Sequence, residues 1–213
     1  MKSMNKRLIK FLGNERGGIA IMLMSLILLI CCILFLVIVL DYLNLSKTQN
    51  KLKNDLNRAV HAASLSIDEI QLSKGYFKLD TSTPGLSAQD MFYHYLQVNM
   101  GLNAANKAIE GSILQEGSSV VINELVYADW ESNTIVNLNV KPTSCTISTT
   151  YHVSCSVTLN AGTDKEIQRT IDQTIVGPSV LAIISTSHKG IGRLIDDEPL
   201  LIPAVQEVYF LKR

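Results

Sequence analysis

The chain has 213 residues, 47% of them apolar, with 19 basic and 19 acidic side chains. That length suits one domain with an appendage, and the composition excludes a polytopic transporter, a disordered chain and a disulfide-dense miniprotein. Zero net charge, with no basic stripe beyond the N-terminus, argues against a nucleic-acid partner.

Residues 1–18 form a basic leader, with Lys2, Lys6, Arg7, Lys10 and Arg16 against Glu15. Residues 19–40 follow without a single charge, and Ser25 is the only hydroxyl among them. As a helix they reach roughly 33 Å, enough for a hydrocarbon core of about 30 Å. Five bases and one acid precede this stretch, whereas 14 bases and 18 acids follow it. Positive charge stays inside, so the expected topology is a single-pass cell-membrane protein with a cytoplasmic N-terminus and an extracytoplasmic C-terminal part. A cleaved secretory signal has a shorter apolar core and a small-residue cleavage site. Here Leu40-Asp41-Tyr42-Leu43 ends the run, which favours a retained anchor.

Residues 41–70 lack Gly and Pro, and Leu45, Leu52, Leu56, Ala59, Ala63 and Ile67 recur at helical spacing. This predicts an extracytoplasmic continuation of the same helix, its apolar stripe covering a sheet. Lys47, Lys51, Asn54, Asp55 and Arg58 are placed on the outer surface. Ala59, Ala62, Ala63, Ser64 and Ser66 allow a close backbone approach near its end.

Residues 71–213 are expected to form an α+β head domain. Residues 71–87 are turn-rich around Pro84-Gly85. Ser87 and Asp90 suggest a cap on a second helix to about Asn99, with Met91, Tyr95, Val98 and Leu102 on one face and Gly101 weakening its end. From Ser118 the period becomes two, and four segments rich in Val, Ile and Thr predict a roughly four-stranded antiparallel meander. Beyond Pro178, VLAII suits a strand, while SHKGIGRLIDDEPLLIP reads as loop and short turns.

Cys31 and Cys32 lie mid-span as small apolar fillers. Cys145 and Cys155 fall in the exported part, ten residues apart, where an oxidising exterior permits a disulfide; two unpaired thiols are the alternative. His152 lies nearby, but no CxxC pair accompanies it to make a zinc site.

Little else suggests chemistry. His61, His94, His152 and His188 belong to no metal-binding spacing. Residues 186–193 (TSHKGIGR) offer a GxG that more simply makes a turn, and Asp196, Asp197 and Glu198 read as a solvated loop. No nucleophile elbow, Walker loop or Cys/His nucleophile context occurs. The expectation is a protein that is not an enzyme and uses no cofactor or metal.

Residues 14–68 resemble the N-terminal module of TadE/TadG-like proteins, minor pilins or pseudopilins of tight-adherence (Flp, type IVb-like) pilus systems. Arg16-Gly17-Gly18 matches the end of the leader, Asp41 the acid at the outer membrane edge, and Asn57–Leu65 (NRAVHAASL) the closing small-residue run. The resemblance implies prepilin-peptidase processing at Gly17 or Gly18, and contact with other pilin-like subunits, pilus assembly machinery and membrane lipid. Pilins of these systems usually carry Glu at the fifth mature position. Cleavage after Gly17 would put Met22 there, and cleavage after Gly18 would put Leu23. His61 stands where the family tends to have Asp. These departures point to an assembly component rather than a major filament subunit. A signal-anchored extracytoplasmic binding module unrelated to pili is the alternative.

Overall fold

The computed structural model describes residues 15–76, 78–129, 132–139, 141–148, 152–188 and 198–208. The chain divides into two compact units, residues 1–44 and 45–213. One helix, α1 (Glu15–Ser64), contributes to both. In the first unit its apolar residues from Ile21 to Leu40 are largely exposed, Met22 and Met24 at about three-quarters. Ser25 Oγ donates to the Met22 carbonyl at 2.8 Å, so the one hydroxyl is answered within its own helix.

In the second unit the same helix buries Leu52, Leu56, Ala59, Val60 and Ala63. Asp55 is also buried, contrary to its expected surface position, and the Lys51 ammonium meets it at 2.8 Å one turn away. An (i, i+4) partner lets a carboxylate enter a helix face that its sequence position alone assigns to water.

The helix ends at Ser64, not near residue 70. Ser64 Oγ donates to the His61 carbonyl at 2.7 Å, and Ile67 then forms a bridge with Leu79. Asp68 starts a new helix, α2 (Glu69–Ser73), its Oδ1 accepting from the backbone of Ile70 at 2.9 Å and of Gln71 at 3.1 Å. A short acidic side chain that satisfies free N–H groups at a helix start competes with continuation of the preceding helix.

The second expected helix is α3 (Ala88–Met100), capped by Ser87 as its sequence implies. Ser87 Oγ accepts from Asp90 N, while Asp90 Oδ2 accepts from Ser87 Oγ and Gly85 N, both at 2.8 Å. Gly101 ends the helix in the left-handed region at φ 65, where a Cβ would also lie 3.4 Å from the Ser112 backbone. The buried face is Ala88, Phe92, Leu96 and Met100; of the predicted stripe Leu102, just past the helix, is buried, whereas Tyr95 and Val98 are exposed. Both sets have near-helical spacing, and the one bearing the phenylalanine faces the core.

Seven strands form two antiparallel sheets. The first contains β1 (Val120–Asp129), β2 (Thr134–Asn137), β6 (Ser179–His188) and β7 (Glu198–Glu207), in the order β2-β1-β6-β7. The second contains β3 (Cys145–Ser148), β4 (His152–Leu159) and β5 (Ile167–Thr174), in that order. The fold class is α+β, as expected, but the meander is replaced by two sheets. VLAII does form a strand. Residues 199–207, expected to begin as loop, pair with it along β7.

β6 is the centre of the head. Val180, Ala182 and Ile184 join Leu52, Leu56, Phe92 and Leu96 on its helix side. Leu181 and Ile183 join Val126, Val153, Cys155 and Val157 on the other. The second unit is therefore layered as helices, four-stranded sheet and three-stranded sheet. A strand covered on both faces reads as continuous apolar text, which is why alternation is weak there. Each fully buried Leu, Ile or Phe contributes about 1.5–3 kcal/mol to this core.

β1 contains a bulge. Ile122 pairs with Ile184 and Glu124 with Ile183, leaving Asn123 as the extra residue. The bulge restores the apolar pattern: Val120, Ile122, Leu125 and Tyr127 belong to the helix-side core, whereas Val126 and Ala128 belong to the other.

Candidate functional site

α1 is, among the described residues, a helix long and apolar enough to cross a membrane, and none of its most apolar stretch is buried. Lipid would remove these side chains from water, as the protein core does for Leu52, Leu56, Ala59, Val60 and Ala63. Cys31 and Cys32 lie on this exposed surface beside Phe35, Leu36 and Val39. Gly17 and Gly18 fall within the first turn of α1. Nothing lies within 4 Å of a Cβ built on Gly18, so internal packing does not demand glycine there. Asp41 is buried, at 4% exposure. Of the closing run, Ala59, Val60, Ala62 and Ala63 are buried while His61 and Leu65 are exposed.

Cys145 and Cys155 form a disulfide. They sit directly opposite each other on β3 and β4, with Cα atoms 4.0 Å apart. The short strand β3 is thereby tied covalently to the sheet at its first residue. Beside it lies Glu124, only 5% exposed. Its carboxylate accepts from Thr143 Oγ1 at 2.8 Å, Ser144 N at 3.1 Å and Ser144 Oγ at 2.7 Å. Ser144 Oγ also lies 2.5 Å from the Ser156 carbonyl. Three donors to one buried carboxylate offset its loss of water and lock the approach to β3 onto β1. Sequence reading missed Glu124, because it lies on an apolar strand and its donors are 19 and 20 residues away. The Thr143-Ser144 pair next to Cys145 was the available signal.

The loop between α2 and α3 is organised by Asp80. Its Oδ1 accepts from Ser82 N and Thr83 N, each at 2.9 Å. The side-chain bond from Thr83, followed by the backbone bonds from Ser82 and Thr83, holds this carboxyl below its ordinary value. Tyr93 is half-buried, and burial raises its phenol. Tyr93 Oη lies 3.3 Å from Asn139 Oδ1, linking α3 to the segment after β2.

Among the histidines whose side chains are described, none is brought together with another as a site, and the side chain of His188 lies outside the description. His61, His94 and His152 are exposed on α1, α3 and β4. His94 stacks edge-on with Tyr95, and His152 Nδ1 lies 3.3 Å from Thr174 Oγ1. Residues 189–197, which include the GxG turn, Asp196 and Asp197, lie outside the described residues, as does the leader before Glu15. Among the described residues, no three His, Cys, Asp or Glu side chains cluster as metal ligands do.

These features define a class: an α+β protein with an exposed apolar N-terminal helix suited to anchoring in a membrane, and one cross-strand disulfide. No protein-family model, curated protein or solved structure matches the chain.

Proposed function

We propose that this chain is a membrane-anchored, non-catalytic minor pilin-like or assembly component of a tight-adherence (Flp, type IVb-like) pilus or a related secretion system. Residues 19–40 lie in the bilayer, the N-terminus is cytoplasmic and the α+β head is extracytoplasmic. The observation that carries the reading is one helix with two consecutive fates. Its charge-free part exposes apolar side chains, and its small-residue part is buried in the core of the head.

The charge asymmetry about residues 19–40 supports the orientation, and the Cys145–Cys155 disulfide agrees with an oxidising compartment. Arg16-Gly17-Gly18, Asp41 and Asn57–Leu65 support the family reading by their order and spacing. In the membrane the chain meets other pilin-like helices through Leu and Ile packing, because the span carries few small residues.

Two measurements test this, one on a deletion strain and one on a strain producing a tagged chain. A deletion of the gene reduces piliation and surface adherence, and the tagged full-length protein co-purifies with pilus assembly proteins. Normal piliation in the deletion strain contradicts the reading. N-terminal sequencing of the mature protein decides whether Gly17 or Gly18 is cut.

A further inference from the structure

The start of β1, the end of β6 and the start of β7 meet the turn after β4 around a cleft of about 430 Å³. Its walls include Ser119, Asn123, Lys141, Thr158, Asn160 and Ser187, and no carboxylate lines it among the described residues. Thr186 Oγ1 donates to the Ser119 carbonyl at 3.1 Å, tying β6 to the entry of β1 and fixing this wall.

Three observations give the cleft a chemical character. The β1 bulge sets Asn123 in the wall, where its Nδ2 is buried with no hydrogen-bond partner. Lys141 is exposed, and among the described residues no carboxylate pairs with its ammonium. Thr158 joins the cleft to the outward face of the three-stranded sheet. There Thr158 lies opposite Gln168, Ser156 opposite Thr170, and Ser154 opposite Asp172. That face is hydroxyl- and amide-rich and carries little charge.

From this arrangement we propose that the cleft and the adjoining face bind an acidic glycan, a chain of hydroxylated sugars with a carboxylate seated at Lys141. Hydroxyls and amides both donate and accept, as sugar hydroxyls do. Among the described residues, one ammonium among neutral groups matches one carboxylate. A nucleic acid, with a phosphate at every step, needs a run of cations that the described residues of this surface do not supply. The low charge of the sheet face suits the uncharged remainder of a sugar chain. The proposal stands independently of the pilus reading.

Calorimetric titration of the full chain tests it, in a detergent without a sugar headgroup. The probes are a galacturonate oligomer, a galactose oligomer of the same length, and inorganic phosphate. The galacturonate oligomer binds saturably and the galactose oligomer more weakly. Lys141→Gln weakens galacturonate binding about tenfold, the usual size of a lost charge-assisted hydrogen bond, and removes the preference for the acidic sugar. Thr158→Val weakens it about threefold, as loss of one neutral hydrogen bond does, with an unchanged unfolding temperature. Phosphate binding as tightly as the oligomer would reveal a simple anion site and overturn the proposal. So would the absence of saturable sugar binding, or unchanged affinity in a folded Lys141→Gln variant.

Discussion

Leu36 and Leu56 stand on the same helix, yet the first is 57% exposed and the second fully buried. Around Leu36 every turn of the helix is apolar, so no face is reserved for water. Around Leu56 the apolar residues form one stripe, with Lys51, Lys53, Asn57 and Arg58 on the exposed remainder. One local propensity therefore serves two environments. Where apolarity surrounds the helix, the surrounding medium must be apolar. Where it is confined to a stripe, sheet and helix residues of the head supply the partner surface.

Substitution separates the two regions. Leu56→Ala opens a cavity under Phe92 and β6 and destabilises the head by about 2–5 kcal/mol in denaturant titrations of the detergent-solubilised chain. Leu36→Ala leaves that unfolding midpoint unchanged. Equal losses from both would break the comparison. The converse change is Ile30→Arg, which places a charge mid-span and costs about 2.5–3.5 kcal/mol of membrane insertion. It releases protein into the soluble fraction on alkaline extraction while the folded head keeps its stability.

Within the head, the helix side and the disulfide side differ in how they are held. Replacing both Cys145 and Cys155 by Ala lowers stability by about 2–3 kcal/mol, the loop-closure contribution of a short cross-link. Hydrogen exchange then rises most in β3 and β4, with a smaller rise in α3 and β6 that reflects the lower global stability. Ser87→Ala removes the α3 cap and costs about 1 kcal/mol, read as a lower unfolding midpoint.

The smallest effect is one of pH. Hydrogen bonds led by that from Thr83 depress the folded-state pKa of Asp80, so its contribution is complete above the ordinary carboxylate value. It fades as pH falls through the lower folded value. Asp80→Asn should flatten the acid limb of the stability profile, with a slight loss of stability near neutrality and little change in strong acid.

Local signals were legible in the sequence. Ser87 with Asp90 marked the start of α3 and Gly101 its end, and the ten-residue spacing of Cys145 and Cys155 allowed a disulfide, although strand β3 that sets them opposite each other was not foreseen. Non-local pairing was not. β6 inserts between β1 and β7, and no short-range pattern records that Val126 lies beside Leu181. Pro199 and Pro203 made the tail read as loop. β7 is an edge strand, however, and an edge tolerates residues that cannot donate on their outer side. The buried carboxylates of Asp55 and Glu124 were hidden for a related reason. Each is admitted by specific donors, Lys51 in one case and Thr143 with Ser144 in the other, and hydropathy carries no record of a donor.

The account rests on residues 19–40 lying in lipid with the head on the far side of the cytoplasmic membrane. Protease treatment of spheroplasts producing a chain tagged at its N-terminus tests this most directly. The account predicts that the head is digested while the membrane is intact, leaving a tagged, membrane-bound fragment that includes the span. A head that survives until the spheroplasts are lysed would contradict it.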